Sequence, residues 1–441
     1  MRRSIRRAGN GSSAAPRRAR GAARGIAAIP ALRYDRPAKS TRSPMSRKFS
    51  VVLVSLTLSL LAAEGGLRLW GPFGLEYIEM DTTLGWRYRS NASYKAWVIS
   101  EAVCGWGSEG RINSRGLRDR EYPYDKPPGT FRILALGDSF TAAVEHPVEQ
   151  TWTKVLERRL NARQGRTAFE VINAGRGAAG TGYEYLWFDT EGYRYSPDLV
   201  ILVVIGNDLT DNSRALVERE RRSWLWDPFF AVREGRLVAD TSFKDTWGFL
   251  LRRAVMPVRA HSELVRTMLA VRQLAAPGRV ALTLQPSYAP AAELASAVET
   301  TKQLIRELRA RVEARGARLV VFNGLPDYLW GLEDQPDTLM RELAAEDSGW
   351  FYRDLVAPLD RYTADTGRRA FGCSAMGDPH LGHWSREGHA EVARLIQQAL
   401  ADFRLLDGGE GPGSSAANVS RSGFQSARFN PREESPDPAR R

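Results

Sequence analysis

Three short segments carry residue types that could do chemistry together. Gly137-Asp138-Ser139 follows an apolar run and places a serine where a buried strand would break into a turn and a helix. Serine is a poor nucleophile at its own pKa, so it needs a base and oxyanion donors supplied from elsewhere. Asn173-Ala174-Gly175-Arg176-Gly177-Ala178 and Gly206-Asn207-Asp208 follow two further apolar runs. Taken singly, such tripeptides are also ordinary turns or helix N-caps, because a Ser, Asn or Asp oxygen accepts the unpaired N–H groups of a first helical turn.

The base has to come from five histidines. His146 and His261 fall in a loop and a helix start, with no catalytic setting around them. The cluster Asp378-Pro379-His380-Leu381-Gly382-His383-Trp384-Ser385-Arg386-Glu387-Gly388-His389 differs, because it lies on a loop feeding the last helix, where a base could swing over the edge of a sheet. Its Asp and His content also suits a metal, but three or four ligands with an open position do not follow from one loop. No metal and no cofactor is expected.

The elements that must position these residues alternate. Continuous apolar runs at Phe131 to Leu136, Phe169 to Ala174, Leu199 to Ile205 and Arg318 to Leu325 predict strands. Amphipathic stretches near Trp152 to Arg163, Glu184 to Thr190 and Ala291 to Arg315 predict helices, and a last helix runs from Arg386 to about Leu405. Buried strands separated by helices argue for a parallel sheet covered on both faces. Each candidate segment then ends a strand on the same edge, outside which open parallel sheets bind their ligands.

A competing signal sits in the middle loop, where Gly175-Arg176-Gly177-Ala178-Ala179-Gly180 matches GxGxxG. The acid that would hold a ribose, Asp198, precedes the next strand instead of ending it, so the dinucleotide reading is set aside.

The rest of the chain bounds the partners. Residues 1–48 hold fourteen Lys or Arg against one acid, Asp35, which exceeds the whole chain's net charge of +12; the remaining chain is about neutral. The basicity belongs to a tail, and with no basic, aromatic-interleaved stripe in the body a nucleic-acid function is not expected. Residues 1–44 read as a disordered tail, with Met45 a candidate true start. Residues 45–70 read as an uncleaved anchor, with a cleaved signal as the alternative: an apolar run from Phe49 to Ala63 follows Arg47 and Lys48. In both cases the positive flank stays inside and the body lies outside the cytoplasm. Residues 71–128 read as an extension packed on the main domain, with a turn and short paired strand at Asn113 to Asp119. The main domain covers 129–405 with an insertion at about 213–289, which is a lid, a cap or a packing element, and 406–441 form a disordered tail. Cys104 and Cys373 lack metal-ligand spacing and are either two free thiols or one disulfide.

Residues 113–402 resemble the SGNH (GDSL) hydrolase family, in the form found on membrane-anchored or exported bacterial proteins. Four blocks match in order: Gly137 to Phe140, the Gly-rich loop after Asn173-Ala174, Gly206 to Asp208, and His383 to His389. The resemblance implies a flavodoxin-like three-layer α/β/α sandwich around a central parallel sheet. It implies a serine esterase with Ser139 as nucleophile, His383 as base and Asp378 as orienting acid, although Asp378 lies five residues before His383 where the family usually has two or three. His380 is the alternative base. The implied oxyanion donors are the N–H groups of Ser139 and of Gly177 or Ala178, with the side chain of Asn207; the family has glycine where this chain has Ala178. The substrates implied are ester-containing small molecules, lipids or acylated glycans. An O-acyltransferase or O-acetyl esterase on envelope polysaccharide, and a non-catalytic carbohydrate-binding relative, are the alternatives.

Overall fold

The computed structural model describes residues 44–70, 77–95, 108–163, 165–219, 226–274, 290–325, 335–372 and 382–406. Cys104, Cys373, Asp378, His380 and nearly all of both tails lie outside the described residues. The chain divides into two compact units, Met1–Ser59 and Leu60–Arg441. Of the first, the described part is the beginning of α1 (Pro44–Trp70), which continues into the second.

In the second unit, two antiparallel pairs come first, β1 (Ile78–Asp81) with β2 (Gly85–Tyr88) and β3 (Ser93–Lys95) with β4 (Glu109–Arg111). The alternating domain follows: β5 (Thr130–Leu136), α2 (Ser139–Ala142), α3 (Trp152–Asn161), β6 (Ala168–Asn173), α4 (Thr181–Thr190), β7 (Leu199–Ile205), α5 (Gly206–Asp211) and α6 (Arg214–Arg219). The insertion contributes a hairpin, β8 (Phe229–Arg233) and β9 (Arg236–Asp240), then α7 (Trp247–His261) and α8 (Glu263–Leu274). The chain returns through α9 (Ala291–Glu313), β10 (Arg318–Leu325), α10 (Gln335–Glu346), β11 (Phe351–Asp354), α11 (Val356–Thr366) and α12 (Arg386–Asp402).

Five strands form one parallel sheet in the order β11-β10-β7-β5-β6. In chain order this is 2-1-3-4-5, the flavodoxin-like winding, whose direction reverses between β5 and β7. The expected three layers follow from the period of two in the strands. Val200, Leu202 and Val204 of β7 join one core with α4, α9 and α10, whereas Leu199, Ile201, Val203 and Ile205 join the other with α3, α11 and α12. All seven residues of β7 are buried, which is why it reads as one uninterrupted apolar run. β11 escaped the sequence reading because its four residues, Phe-Tyr-Arg-Asp, are half polar and only partly buried at an edge.

Asn113 to Asp119 forms the expected turn but no strand. The Asn113 side chain accepts the N–H groups of Arg115 and Leu117, closing the turn on itself. Asp119 goes into two buried polar contacts: it pairs with Lys154 at 2.9 Å and accepts the Asn173 N–H at 2.9 Å. Side chains with such demands fix this segment to the sheet by their heads, leaving no ladder to make.

One buried cation ties three regions together. Arg176, in the loop after β6, faces Asp227 of the insertion through two contacts of 3.0 and 3.2 Å, and its guanidinium lies 4.1 Å from the Trp86 ring of β2 and 3.8 Å from the Tyr183 ring of α4. Removing one partner strands the other charge in a dry interior, at a cost of about 3–5 kcal/mol. Arg176→Ala is therefore expected to lower the thermal unfolding midpoint well below that of Arg176→Lys, which keeps the charge; equal midpoints would show that the pair contributes no net stability.

Candidate active site

Sheet topology sets three loops side by side, because β6, β5 and β7 are neighbours and all end on one edge. Ser139 opens α2 after β5, at the reversal point of the winding, where a crevice must form. Its turn is held by Asp138, whose carboxylate accepts the Phe140 N–H at 2.9 Å and lies 3.0 Å from the Ser139 hydroxyl. Gly175 permits the loop after β6 to lie directly on α2: a Cβ there would come within 2.3 Å of the Ala142 nitrogen. The first turn of α4 already gives its Gly182 N–H, a donor a pyrophosphate would need, to Asn212.

His383 reaches the serine. Its Nε2 is 2.8 Å from Ser139 Oγ, across 244 positions of sequence. The loop carrying it is fixed on several sides. Phe371 pairs with Trp384 in an isolated bridge, Gly372 donates to the His383 carbonyl at 2.7 Å, and the Phe140 ring meets the His383 ring edge-on at 4.8 Å. Ser385 caps α12 by accepting the Gly388 N–H at 3.0 Å. Gly388 is demanded at that turn, since a Cβ would stand 1.8 Å from the Ala370 carbonyl oxygen.

On the far side of the imidazole stands Glu145, only 5% exposed, with a carboxylate oxygen 2.9 Å from Nδ1. The two atoms are at ion-pair distance, with the oxygen off the axis of a linear N–H hydrogen bond. Burial raises the Glu145 pKa, but the His383 charge outweighs it and holds the carboxyl at about 2. Burial likewise works to lower His383, and Glu145 reverses it, so the imidazole titrates above its ordinary 6.5. Asp138, fully buried, is pushed up by desolvation to about 6.

Sequence reasoning missed Glu145, which belongs to no motif. A signal was present: one acid six residues after the serine, in the otherwise apolar stretch Ala142-Ala143-Val144. The backbone around it is clamped from the extension. Arg118 donates to the carbonyls of Ala142 (2.8 Å) and His146, and Ser108 donates to those of Val144 (2.6 Å) and His146 (3.0 Å).

Glu145, His146 and His389 offer ligand atoms within 4.8 Å of one another, a spacing a cation could share. Their hydrogen bonds point to another use. His146 Nε2 lies 3.0 Å from the Trp384 carbonyl, an acceptor only, so that nitrogen carries the proton. His389 Nδ1 accepts the Trp152 N–H at 3.3 Å, so its proton is on Nε2, and a protonated nitrogen is a donor, not a ligand. Burial drives His389 down to about 3, which keeps it neutral, and it joins α12 to α3.

Of the two loop N–H groups expected as oxyanion donors, one is already engaged. The Gly177 N–H is already given to the Tyr88 hydroxyl at 3.0 Å, which leaves the Ala178 N–H on that loop. Ala178 sits at φ +52, a left-handed conformation costing an alanine roughly 1–2 kcal/mol. Its carbonyl accepts from Arg176 at 2.9 Å. Asn207 is half-buried and donates through its side-chain amide to Asp211 at 2.9 Å. The neighbouring Asp208 caps its own turn through the Ile205 N–H at 2.8 Å.

A hydroxyl against an imidazole that faces a buried carboxylate is the geometry of an activated nucleophile. The model of the GDSL-like lipase/acylhydrolase family matches residues 135–391, more than half of the chain. The chain belongs to that family. It is accordingly a hydrolase acting on ester bonds. Among solved structures, it is similar to the psychrotrophic esterase EstA from Pseudoalteromonas sp., with 12% identity, a TM-score of 0.35, and 62% of this chain and 98% of that one covered. It is also similar to LAE5, an alpha/beta hydrolase from the metagenome of Lake Arreo, Spain (14%, 0.36, 63% and 97%), and to the acetyl xylan esterase AlAXEase (12%, 0.36, 61% and 100%). Likeness this distant decides nothing about substrate. No curated protein sequence matches.

For a hydrolase the His383 imidazole must be neutral to take a proton, so ester hydrolysis is expected to fall as pH drops through a value above 6.5. Glu145→Gln removes the charge that raises His383 and leaves burial, which lowers it. The acid limb of kcat/KM should then shift to lower pH, while the maximal rate drops on the order of 10³–10⁴-fold. A pH–rate profile checks both; an unmoved limb would mean that Glu145 does not bear on the imidazole.

Proposed function

We propose that the protein is a serine esterase in which Ser139 is the nucleophile, His383 the base and Glu145 the group that orients and stabilises the imidazole. The observation that carries this reading is the 2.8 Å contact between Ser139 Oγ and His383 Nε2. Glu145 takes the role the sequence reading gave to Asp378, which lies outside the described residues; the Glu145 carboxylate oxygen stands 2.9 Å from Nδ1.

In the first step Ser139 Oγ adds to an ester carbonyl as its proton passes to His383 Nε2. The imidazolium that forms is paired with Glu145, and the oxyanion is met by the N–H groups of Ser139 and Ala178 and the side-chain amide of Asn207. Collapse returns the proton to the departing alcohol and leaves an acyl-serine. Water then repeats the sequence, giving up a proton to His383 and releasing the acid. Removing one oxyanion donor typically costs about 10²–10³ in turnover. The Ser139 hydroxyl also donates to Asp138 at 3.0 Å, a bond that must be given up as the proton passes to His383.

The location belongs to the same proposal. One helix among the described residues is long and apolar enough to cross a membrane, Lys48–Leu69, and none of it is buried. With Arg47 and Lys48 before it, α1 anchors the protein and the esterase domain lies on the outer side.

A fluorophosphonate probe is expected to label Ser139 in the intact protein and in His380→Ala. It should not label Ser139→Ala, and should label His383→Ala far more slowly. Labelling lost in His380→Ala but kept in His383→Ala would overturn the assignment of the base.

A further inference from the structure

α7 is apolar on two opposite faces. At 100° per residue Phe249, Met256 and Ala260 fall together, and all three are buried. Trp247, Leu251 and Val258 fall on the other side and are 86%, 65% and 55% exposed. On α8, Met268 and Val271 stand one turn apart at 64% and 58%. A helix apolar on two faces needs cover on both sides, and the described residues cover only one.

The junction of these helices indicates what covers the other. The Glu64 carboxylate of α1 accepts the Ser262 hydroxyl at 2.9 Å and the N–H groups of Glu263 and Leu264 at 3.0 Å each, and Arg68 donates to the His261 carbonyl at 2.7 Å. Glu64 precedes the end of the apolar segment by five residues, about 7.5 Å of helix rise. The α7–α8 junction is thus fastened at the level where that segment stops, which for an anchored protein is the headgroup layer. α7 also holds the exposed Arg253 and no acidic residue, a balance suited to phosphate headgroups, whereas Arg252 lies over the Trp226 ring at 4.3 Å. Trp247 suits the same boundary, where one edge of an indole is wet and the other dry.

We propose that the outward face of α7 and α8 lies in the headgroup–acyl boundary of the phospholipid bilayer that α1 enters. This rests on the anchor reading. The insertion then holds the esterase domain against the membrane surface by a second, non-spanning contact.

The test uses the full chain with Cys104→Ser and Cys373→Ser, carrying one nitroxide-labelled cysteine at a time through Leu251→Cys, Val258→Cys, Met268→Cys, Leu58→Cys or Arg236→Cys. Retained ester hydrolysis reports that each variant is folded. In vesicles of phosphatidylcholine and phosphatidylglycerol, collision of the label with oxygen is compared with collision with a water-soluble nickel chelate. The expected result is an oxygen-to-nickel ratio several-fold higher at positions 251, 258 and 268 than at 236, approaching that at 58. A high ratio at 58 with low ratios at 251, 258 and 268 would overturn the proposal and leave the anchor standing. Protection of those three from both reagents would overturn it in favour of a protein partner or a second copy. A low ratio at 58 would remove the anchor reading and this proposal with it.

Discussion

A carboxylate almost out of contact with water keeps its charge only if a cation or several donors face it. Glu145 meets that condition through His383, and the arrangement around the serine depends on it. The same pairing that keeps Glu145 ionised raises the imidazole's affinity for a proton, which is the property a general base needs near neutral pH. His146 and His389 stand beside the pair with their protons assigned by a carbonyl and a backbone N–H, and burial keeps both below their ordinary pKa. They add no second positive charge that would compete for the carboxylate.

The segments before the sheet serve this arrangement more than their irregular sequence suggests. Arg118 and Ser108 hold the carbonyls on either side of Glu145, Tyr88 takes the Gly177 N–H, and Trp86 stacks on the Arg176 guanidinium. The insertion closes the same cluster through Asp227. One consequence is strain: Arg176 grips the carbonyl of Ala178, an alanine in the left-handed conformation.

What was legible in the sequence is what depends on local pattern. β5, β7 and β10 are apolar runs because both faces of the sheet are covered, and Ser139, His383 and Asn207 stand in short blocks at fixed places relative to those runs. The contact of Glu145 with His383 was not legible, because it joins residues 238 positions apart that no spacing encodes. The loss of the Gly177 N–H depends likewise on a tyrosine 89 residues earlier. Arg118 was part of a segment read as a turn and strand; that it would donate to two carbonyls beside the site follows only from packing. Asp378, named for the acid's role by its nearness in sequence to His383, lies outside the described residues, among which the acid beside the imidazole is Glu145.

The central claim is that Glu145 is the partner of the His383 imidazole. It is tested most directly by following the His383 ring by proton–nitrogen NMR across pH in the intact protein, in Glu145→Gln and in Asp378→Asn. The account predicts a titration above 6.5 in the intact protein, unchanged in Asp378→Asn and moved to lower pH in Glu145→Gln. A titration that moves in Asp378→Asn and stays in place in Glu145→Gln would contradict it.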